Sequence, residues 1–265
     1  MKKITLNNVI VIHMKSSSSE HNKTLRHVHS VLKKYGITHR VKERTGINGN
    51  TFKGKDFVIV VGGDGTFLRA AHFIKDQVVL GVNSDVHAKE GFLTQANRFD
   101  FEMKLVKIMH NDFKLQKLTR LAAWIDGKKL PDLALNEFYI GHRNAYDMSR
   151  YHVIIDGKKA FHRSSGLLAG TAVGSYAWLV SAGGKRMPLN SKKMQYIARE
   201  VYEGTLFKRE MLKGFLGQDK KLEVISASNK NIVVADSLSK EYTLRKGHKV
   251  VVKVSRHPLL TAGFK

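Results

Sequence analysis

The first hundred residues alternate short, continuously apolar runs with segments in which apolar residues recur at helical spacing. The predicted elements are a strand at Val9–Ile12, a helix over Leu25–Tyr35, a strand at Phe57–Val61, a helix over Phe67–Ile74 and a strand at Gln77–Val82. A serine run, residues 16–19, is expected to form a loop that caps the first helix, and Gly36 is expected to end it. Unbroken apolar strands that alternate with helices indicate a parallel, Rossmann-like sheet with both faces covered.

From about residue 98 onward, strand-like runs follow one another with tight turns between them. The candidate strands are Leu121–Ile125, Leu133–Ile140, His152–Ile155, Leu222–Ile225 and Lys249–Val254. Two Asp-Gly pairs, at 126–127 and 156–157, are typical of hairpin turns, and one helical insert is expected near Tyr176–Ser181. We therefore predict an α/β domain over residues 1–97 and a mainly antiparallel, β-sandwich-like domain over residues 98–265, with a C-terminal tail that can return to the first domain.

Composition narrows the classes of function. The chain has 265 residues, of which 42% are hydrophobic, so it can bury a core, and it has no cysteine, which excludes disulfides, thiolate metal sites and a cysteine nucleophile. Lys and Arg outnumber Asp and Glu by 46 to 22, and the net charge of +24 fits an anionic partner, a crowded anionic surface or a means of solubility. No apolar run approaches about 20 residues and no export signal is evident, so we expect a cytoplasmic protein without a membrane span.

The segment with the clearest chemistry is Gly62-Gly63-Asp64-Gly65-Thr66, which lies between a predicted strand and a predicted helix. Glycines allow backbone N–H groups to approach a ligand, and the start of the following helix favours a phosphate. A carboxylate beside phosphates fits either chemistry on a hydroxyl or help in holding a magnesium ion. The alternative is a tight turn in which Asp64 only caps the helix.

Two further segments allow both a functional and a structural interpretation. Asn136 and Glu137 could bind the two hydroxyls of a ribose, or they could be ordinary turn residues. Residues 166–178 place small residues before the aromatic Tyr176 and Trp178. That arrangement suits a flat ring lying against the backbone, or alternatively a glycine-rich corner whose aromatic residues pack in the core.

Several familiar sites are excluded by spacing. The segment Gly49–Lys55 has the spacing of a P-loop, but Asp56 stands where Ser or Thr is required and the segment precedes a strand, so we interpret it as a basic loop. Leu68 occupies the third glycine position of a dinucleotide fingerprint. No histidine spacing matches a metal site, and the lysine pairs are scattered, which does not favour nucleic-acid binding.

Taken together, the three chemical segments resemble the NAD kinase family. Residues 62–66 match its GGDGT motif, Asn136 and Glu137 match its NE motif, and residues 166–184 match its glycine- and threonine-rich third motif. Residues 81–93 look like those of the branch that contains mitochondrial-type NAD kinases.

The third motif departs from the family pattern at three places, and one of them is the run Thr171-Ala172-Val173 where the family has threonine-proline-threonine. Ser165 stands where the family usually has Asp, which affects the contacts expected at the nicotinamide end of the substrate. Trp178 stands where the family has Tyr, and its ring can still stack on a base.

The resemblance implies transfer of the γ-phosphate of ATP, with Mg²⁺, to the 2′-hydroxyl of the adenosine ribose of NAD, by a homodimer or homotetramer without a tightly bound cofactor. Asp64 would be the catalytic residue. The substrate-binding residues that it implies are Gly62, Gly63, Gly65, Thr66, Arg69, Asn136, Glu137, Ser165, Thr171, Tyr176, Ala177 and Trp178. Two alternatives stay open: a diacylglycerol-type lipid kinase with the same Gly-Gly-Asp-Gly run, and a non-catalytic basic protein that binds nucleotides or nucleic acid.

Overall fold

A computed structural model describes residues 4–204, 210–238 and 240–264 of the chain. The strands in these ranges are β1 Val9–His13, β2 His39–Glu43, β3 Phe57–Gly62, β4 Val78–Asn83, β5 Ala96–Asn97, β6 Lys114–Leu118, β7 Leu121–Ile125, β8 Lys128–Ala134, β9 Glu137–His142, β10 Ser149–Ile155, β11 Lys158–Ser164, β12 Leu167–Gly170, β13 Met194–Ala198, β14 Lys213–Leu216, β15 Lys221–Ser226, β16 Asn231–Ala235, β17 Glu241–Leu244, β18 Lys249–Val254 and β19 Leu259–Gly263. The α-helices are α1 Ser19–Lys34, α2 Asp64–Ala71, α3 Phe101–Met109 and α4 Trp178–Ser181, and short 3₁₀ turns lie at Arg44–Gly46, Gly49–Phe52 and Gly174–Tyr176.

The chain forms two compact units, residues 1–117 with 259–265, and residues 118–258. In the first unit, the sheet order is β2-β1-β3-β4-β19-β6, with β5 beside β4. Strands β1 to β4 run parallel to one another and β19 runs parallel to β4, so the carboxyl ends of β1, β3 and β4 lie at one edge. Asp64 directly follows β3 at this edge, as expected for a ligand site in a parallel sheet.

Apolar side chains cover both faces of this sheet. On one face, α1 contributes Val28 and Leu32 and α3 contributes Phe101 and Leu105 to a core shared with β1, β3 and β4. On the other face, Phe67 of α2 lies so close to the backbone of β4 that a methyl group at Gly81 would stand 3.0 Å from its ring. The predicted α/β architecture with a parallel sheet is therefore confirmed.

The predicted ends of the first helix are also confirmed. The Ser18 hydroxyl accepts a hydrogen bond from the His21 amide at the start of α1. Gly36 follows the helix with a φ of +66°, a left-handed conformation that glycine adopts without strain.

The second unit is a sandwich of two six-stranded sheets, β11-β10-β15-β18-β7-β8 and β14-β13-β12-β9-β16-β17, whose paired strands are antiparallel. Both sheets contribute to one core, which combines Tyr151 and Val224 of the first with Phe138 and Leu167 of the second. The predicted β-sandwich-like architecture is confirmed. Both Asp-Gly pairs have positive φ at each residue and close hairpins between β7 and β8 and between β10 and β11, as predicted.

The structure corrects three local predictions. The run Leu133–Ile140 is not one strand, because the chain leaves the ladder at residues 135–136 between β8 and β9. The second helix starts at Asp64 rather than Phe67, and the helical insert near residue 176 is a 3₁₀ turn followed by the single turn of α4.

The division into units also differs from the predicted boundary at residues 97–98. Helix α3 and strand β6 lie beyond residue 98, yet α3 supplies core side chains to the first unit, so that unit extends to residue 117. The C-terminal strand β19 pairs with β4 in the same sheet.

Candidate functional site

The glycine-rich turn after β3 brings its backbone unusually close to neighbouring side chains. A methyl group at Gly62 would lie 2.7 Å from the Cβ of Thr66, and one at Gly63 would lie 3.1 Å from the Cδ of Lys89. Gly63 is extended and precedes α2, so Asp64 is the first residue of the helix. The turn thus exposes backbone N–H groups at a helix start, where partial positive charge favours an anion.

The carboxylate of Asp64 is half-buried and held in one orientation by two backbone amides. Its Oδ1 accepts a hydrogen bond from the Leu93 amide at 2.7 Å, and its Oδ2 accepts one from the Phe92 amide at 3.1 Å. The loop that supplies these amides turns at Gly91, whose φ is +66° and where a methyl group would lie 2.4 Å from the Nδ2 of Asn83. Glycine at 91 is therefore a condition for orienting Asp64.

Two cations that sequence reasoning missed lie beside this turn. The ammonium of Lys89 donates to the Ser84 hydroxyl at 2.6 Å, and burial lowers the pKa of Lys89. The Nη1 of Arg44 donates to the Thr66 hydroxyl at 3.3 Å. Arg69, expected to contact substrate, donates through its Nε to the Arg44 carbonyl at 2.9 Å. Arg44 and Lys89 lie in separate loops about 20 residues from the motif, and no local sequence signal connects them to it.

The second group of predicted residues lies in the other unit, where the chain breaks between β8 and β9. The carboxylate of Asp236 accepts hydrogen bonds from the amides of Leu135 at 2.8 Å, Asn136 at 2.7 Å and Glu137 at 3.1 Å. Asp236 is 4% exposed and has a φ of +49°. It fixes the Asn136–Glu137 turn, and sequence reasoning missed it. The apolar run at residues 232–235, followed directly by Asp236, was the available signal.

Thr171 joins this turn to the glycine-rich segment. Its amide donates to the Asn136 carbonyl at 2.8 Å and its hydroxyl donates to the Leu135 carbonyl. The same hydroxyl accepts from the Val173 and Gly174 amides at 3.0 and 3.3 Å. Thr171 is fully buried, so its side chain positions the turn.

Asn136 and Glu137 each keep a buried oxygen without a partner in the described residues, Oδ1 of Asn136 and Oε2 of Glu137. Glu137 is 3% exposed, and burial, followed by the negative charge of Asp236, raises its pKa to about 8. Unpartnered buried acceptors are costly. Both belong to consecutive residues of one turn and suit a ligand that donates hydrogen bonds, such as a sugar with adjacent hydroxyls.

The side chains of residues 176–178 contact other residues of the second unit and are partly exposed to solvent. The ring of Trp178 stacks on Tyr139 with centroids 5.6 Å apart, and the Arg199 guanidinium lies 4.6 Å from the Trp178 ring. Tyr176 is 37% exposed, and Ala177 beside it is exposed as well.

Ser165 is not brought to the Asn136–Glu137 turn. Its amide donates to the Arg199 carbonyl at 3.0 Å and its carbonyl accepts from the Tyr139 hydroxyl at 3.0 Å. It precedes β12 whereas Thr171 follows it, so the two are separated by about 20 Å of extended chain. Among the predicted site residues of this unit, Ser165 therefore lies on the side of Trp178, away from the Asn136–Glu137 turn.

We expect Gly174→Ala to destabilise the second unit. A methyl group at Gly174 would lie 2.2 Å from the Asn136 carbonyl oxygen, a backbone atom that cannot move without shifting the turn. Overpacking of this kind costs about 3 kcal/mol. Gly217→Ala is the matched control, because nothing lies within 4 Å of the added methyl group there. Urea unfolding checks the pair, and equal stabilities for both variants would contradict the expectation.

Glu137 predicts a pH dependence of stability. Its ordinary pKa is 4.5 and its folded pKa is about 8, so between these values the folded chain holds a proton that the unfolded chain releases. Stability therefore falls as pH rises from about 4.5 to about 8. Glu137→Gln removes this loss, and we expect its advantage over the parent chain to grow across that window by a few kcal/mol, since one pKa unit corresponds to about 1.4 kcal/mol.

Urea unfolding at pH 5 and pH 8.5 measures this difference. The exposed Glu90 provides the control, because Glu90→Gln should shift the free energy of unfolding equally at both pH values. A Glu137→Gln advantage that does not change with pH would contradict the buried, neutral carboxyl.

Within residues 4–204, 210–238 and 240–264, no three His, Asp or Glu side chains are grouped so that they could hold a metal ion. None of the helices described there combines the length and apolar character that crossing a bilayer requires.

Comparison with known proteins agrees with the motifs. Residues 1–113 match the family model of the ATP-NAD kinase N-terminal domain. A probable NADH kinase of Oryza sativa subsp. japonica is 30% identical over 249 residues, covering 86% of this chain and 76% of the relative. An NAD kinase of Aeromonas salmonicida (strain A449) is 29% identical over 213 residues, covering 77% and 70%.

A solved structure shares the fold. The crystal structure of an NAD kinase from Archaeoglobus fulgidus in complex with ATP superimposes with a TM-score of 0.78 at 24% identity, over 97% of this chain and 93% of that one. Family model, sequence relatives and fold agree with the GGDGT, NE and third motifs, and the chain belongs to the NAD kinase family.

Proposed function

We propose that this protein is an NAD kinase, which transfers the γ-phosphate of ATP to the 2′-hydroxyl of the adenosine ribose of NAD. The observation that carries the proposal is the Asp64 carboxylate, which stands at the start of α2 and is oriented by the Phe92 and Leu93 amides. A pre-oriented carboxylate at a phosphate-favouring helix start suits phosphoryl transfer, in which the protein mainly supplies positioning and charge.

Asp64 is proposed to act on the hydroxyl that becomes phosphorylated. It accepts a hydrogen bond from the 2′-hydroxyl, whose oxygen attacks the γ-phosphorus while the bond to the ADP oxygen breaks. The proton of the hydroxyl passes to the Asp64 carboxylate. Positioning of this kind together with proton transfer contributes about 10²–10⁴ in rate.

The phosphates of ATP, which enters as its Mg²⁺ complex, are proposed to contact the turn after β3. Gly62, Gly63 and Gly65 bring the backbone of a helix start to the phosphates, and Thr66, whose amide donates to the Gly63 carbonyl, holds Arg44 through its hydroxyl. Lys89 and Arg44 stand beside this turn, as their contacts with Ser84 and Thr66 indicate, and supply positive charge for the developing negative charge. Arg69 contributes by holding the backbone of Arg44.

The adenosine ribose is proposed to bind at Asn136 and Glu137. Their unpartnered oxygens support this role, because two adjacent hydroxyls would donate to them. Thr171 positions this turn. We assign the base to the edge formed by exposed Tyr176 and Ala177 and half-buried Trp178, and the nicotinamide end to Ser165.

The remaining properties are proposed from the composition and from the family resemblance. A net charge of +24 raises the local concentration of anionic nucleotides, an effect that salt screens. We further propose a cytoplasmic homodimer or homotetramer that has no tightly bound cofactor.

A coupled assay tests the activity. The protein is incubated with ATP, Mg²⁺ and NAD, and the product is detected by an NADP-specific dehydrogenase, with NADH and diacylglycerol as parallel acceptors. We expect a phosphorylated dinucleotide and no phosphorylated lipid. Phosphorylation of diacylglycerol without dinucleotide product would replace this proposal with the lipid-kinase alternative.

A further inference from the structure

The first unit contains a cavity of about 510 Å³ lined by β1, β2 and the segment of residues 48–55. Four lining side chains are cationic, namely Arg40, Lys42, Lys53 and Lys55. The lining residues include no carboxylate and no aromatic ring. The cavity begins beside the start of β3, at Asn8 and Lys55, and extends along β2 to Lys42, which is in register with Val60 through Ile12, whereas Asp64 follows the end of β3.

The segment that supplies half of the cations is rigidly built. The Asn48 side chain accepts hydrogen bonds from the amides of Asn50 and Thr51 at 3.1 and 3.2 Å, and the Thr51 hydroxyl accepts from the Asn48 amide at 3.0 Å. Phe52 is 2% exposed and stacks on Phe73 with centroids 6.4 Å apart. Lys53 and Lys55 therefore extend from a pre-organised loop, which lowers the entropic cost of binding.

The four cations lack carboxylate ion-pair partners in the ranges described above. Burial, and then the charge of Arg40, lowers the pKa of Lys55. The neighbouring Asp56 only partly offsets this effect, and its Oδ2 accepts a hydrogen bond from the Asn8 amide at 3.1 Å. Like charges gathered around a concave space repel one another, and a bound polyanion would relieve the repulsion.

We infer that this cavity binds a phosphate chain, meaning two or more linked phosphates from a nucleotide or an inorganic polyphosphate. Arg40 and Lys42 are two residues apart on β2, about 7 Å along the strand, so they suit a chain better than a single phosphate. The volume lies within the range of small-molecule sites. The absence of an aromatic ring from the lining disfavours single-stranded nucleic acid, which stacks its bases on such rings. The inference does not require that the chain phosphorylate NAD.

Titration of the full chain with inorganic tripolyphosphate tests this site, with calorimetry for affinity and backbone amide NMR for location. The variant is Arg40→Gln with Lys53→Gln, two exposed cations of the cavity. The control is Lys158→Gln with Lys159→Gln, which removes the same charge at the exposed β10–β11 hairpin. We expect the cavity variant to bind on the order of tenfold more weakly, with less than about a twofold change in the control.

In the parent chain and in Asp64→Asn, tripolyphosphate should shift the amides of Thr51 and Gly54. If ATP also binds and shifts the same amides, the bound phosphate chain belongs to a nucleotide. If only tripolyphosphate binds, the ligand is a free polyphosphate. Either result supports the site. Four results would overturn the proposed site. The first two are equal weakening of tripolyphosphate binding in both double variants and amide shifts confined to residues 62–66. The others are orthophosphate binding as tight as that of tripolyphosphate, and displacement of tripolyphosphate by an RNA oligonucleotide that contacts the same amides. Loss of NADP formation with this binding intact would contradict only the proposed kinase activity.

Discussion

Asp64→Asn is expected to lower the kcat for NADP formation by about 10²–10⁴-fold while the chain stays folded. The amide cannot take the proton from the 2′-hydroxyl, although it occupies nearly the same space. Its remaining oxygen can still accept from one of the two amides that orient Asp64, those of Phe92 and Leu93. Loss of the other bond should cost about 1–3 kcal/mol of local stability.

The control for this variant is Asp76→Asn, which removes the same charge at an exposed position of the first unit. The control should turn over like the parent chain. Because displaced binding groups would raise KM for the nucleotides, whereas loss of the proton acceptor lowers kcat, steady-state kinetics with each substrate varied separates the two causes, provided circular dichroism shows both variants folded like the parent. A kcat for Asp64→Asn close to that of the control would contradict the role assigned to this carboxylate.

Asp236→Ala is expected to destabilise the second unit by about 3–5 kcal/mol and to raise the KM for NAD. The substitution removes the acceptor of three backbone amides, those of Leu135, Asn136 and Glu137. Unsatisfied buried donors cost about 1–3 kcal/mol each. A loss of this size should lower Tm by about 10 °C. The KM effect follows because these amides belong to the turn that carries the proposed ribose-binding side chains.

Asp156→Ala is the matched control, since Asp156 has the same φ of +49° but lies in an exposed hairpin turn. The Asp156→Ala variant measures the cost of placing Ala in a left-handed conformation at a position where no buried amide loses its acceptor. Asp236→Asn, which keeps one acceptor oxygen, should fall between the parent and Asp236→Ala in thermal unfolding. Equal losses for Asp156→Ala and Asp236→Ala would show that Asp236 acts only through its backbone conformation.

The elements around Asp64 could be predicted because their signals are local. Apolar runs, a glycine-rich turn and the start of a helix follow one another within the 15 residues from Phe57 to Ala71. The Asp-Gly hairpins were predictable for the same reason, since two adjacent residues determine the turn. The fold class of both units followed from such local patterns.

Contacts between distant segments account for what the sequence did not reveal. Residues 133–140 are apolar on both sides of Asn136 and Glu137 and so resemble one strand, and the break between β8 and β9 depends on Asp236, about 100 residues later in the chain. Lys89 and Arg44 approach the turn after β3 only because neighbouring parallel strands end at one edge. The basic segment at residues 49–55 was correctly separated from a P-loop, but its cavity forms only when β1 and β2 pack beside it.

Transfer of label from γ-³²P-ATP to NAD by the parent chain, Asp64→Asn and Asp76→Asn is the most direct test of the proposed chemistry. We expect the parent and Asp76→Asn to place the label on a product that an NADP-specific dehydrogenase accepts, and Asp64→Asn to yield about 10²–10⁴-fold less in the same time. Equal labelling by all three proteins, or no labelled dinucleotide from a folded parent chain that binds both substrates, would contradict it.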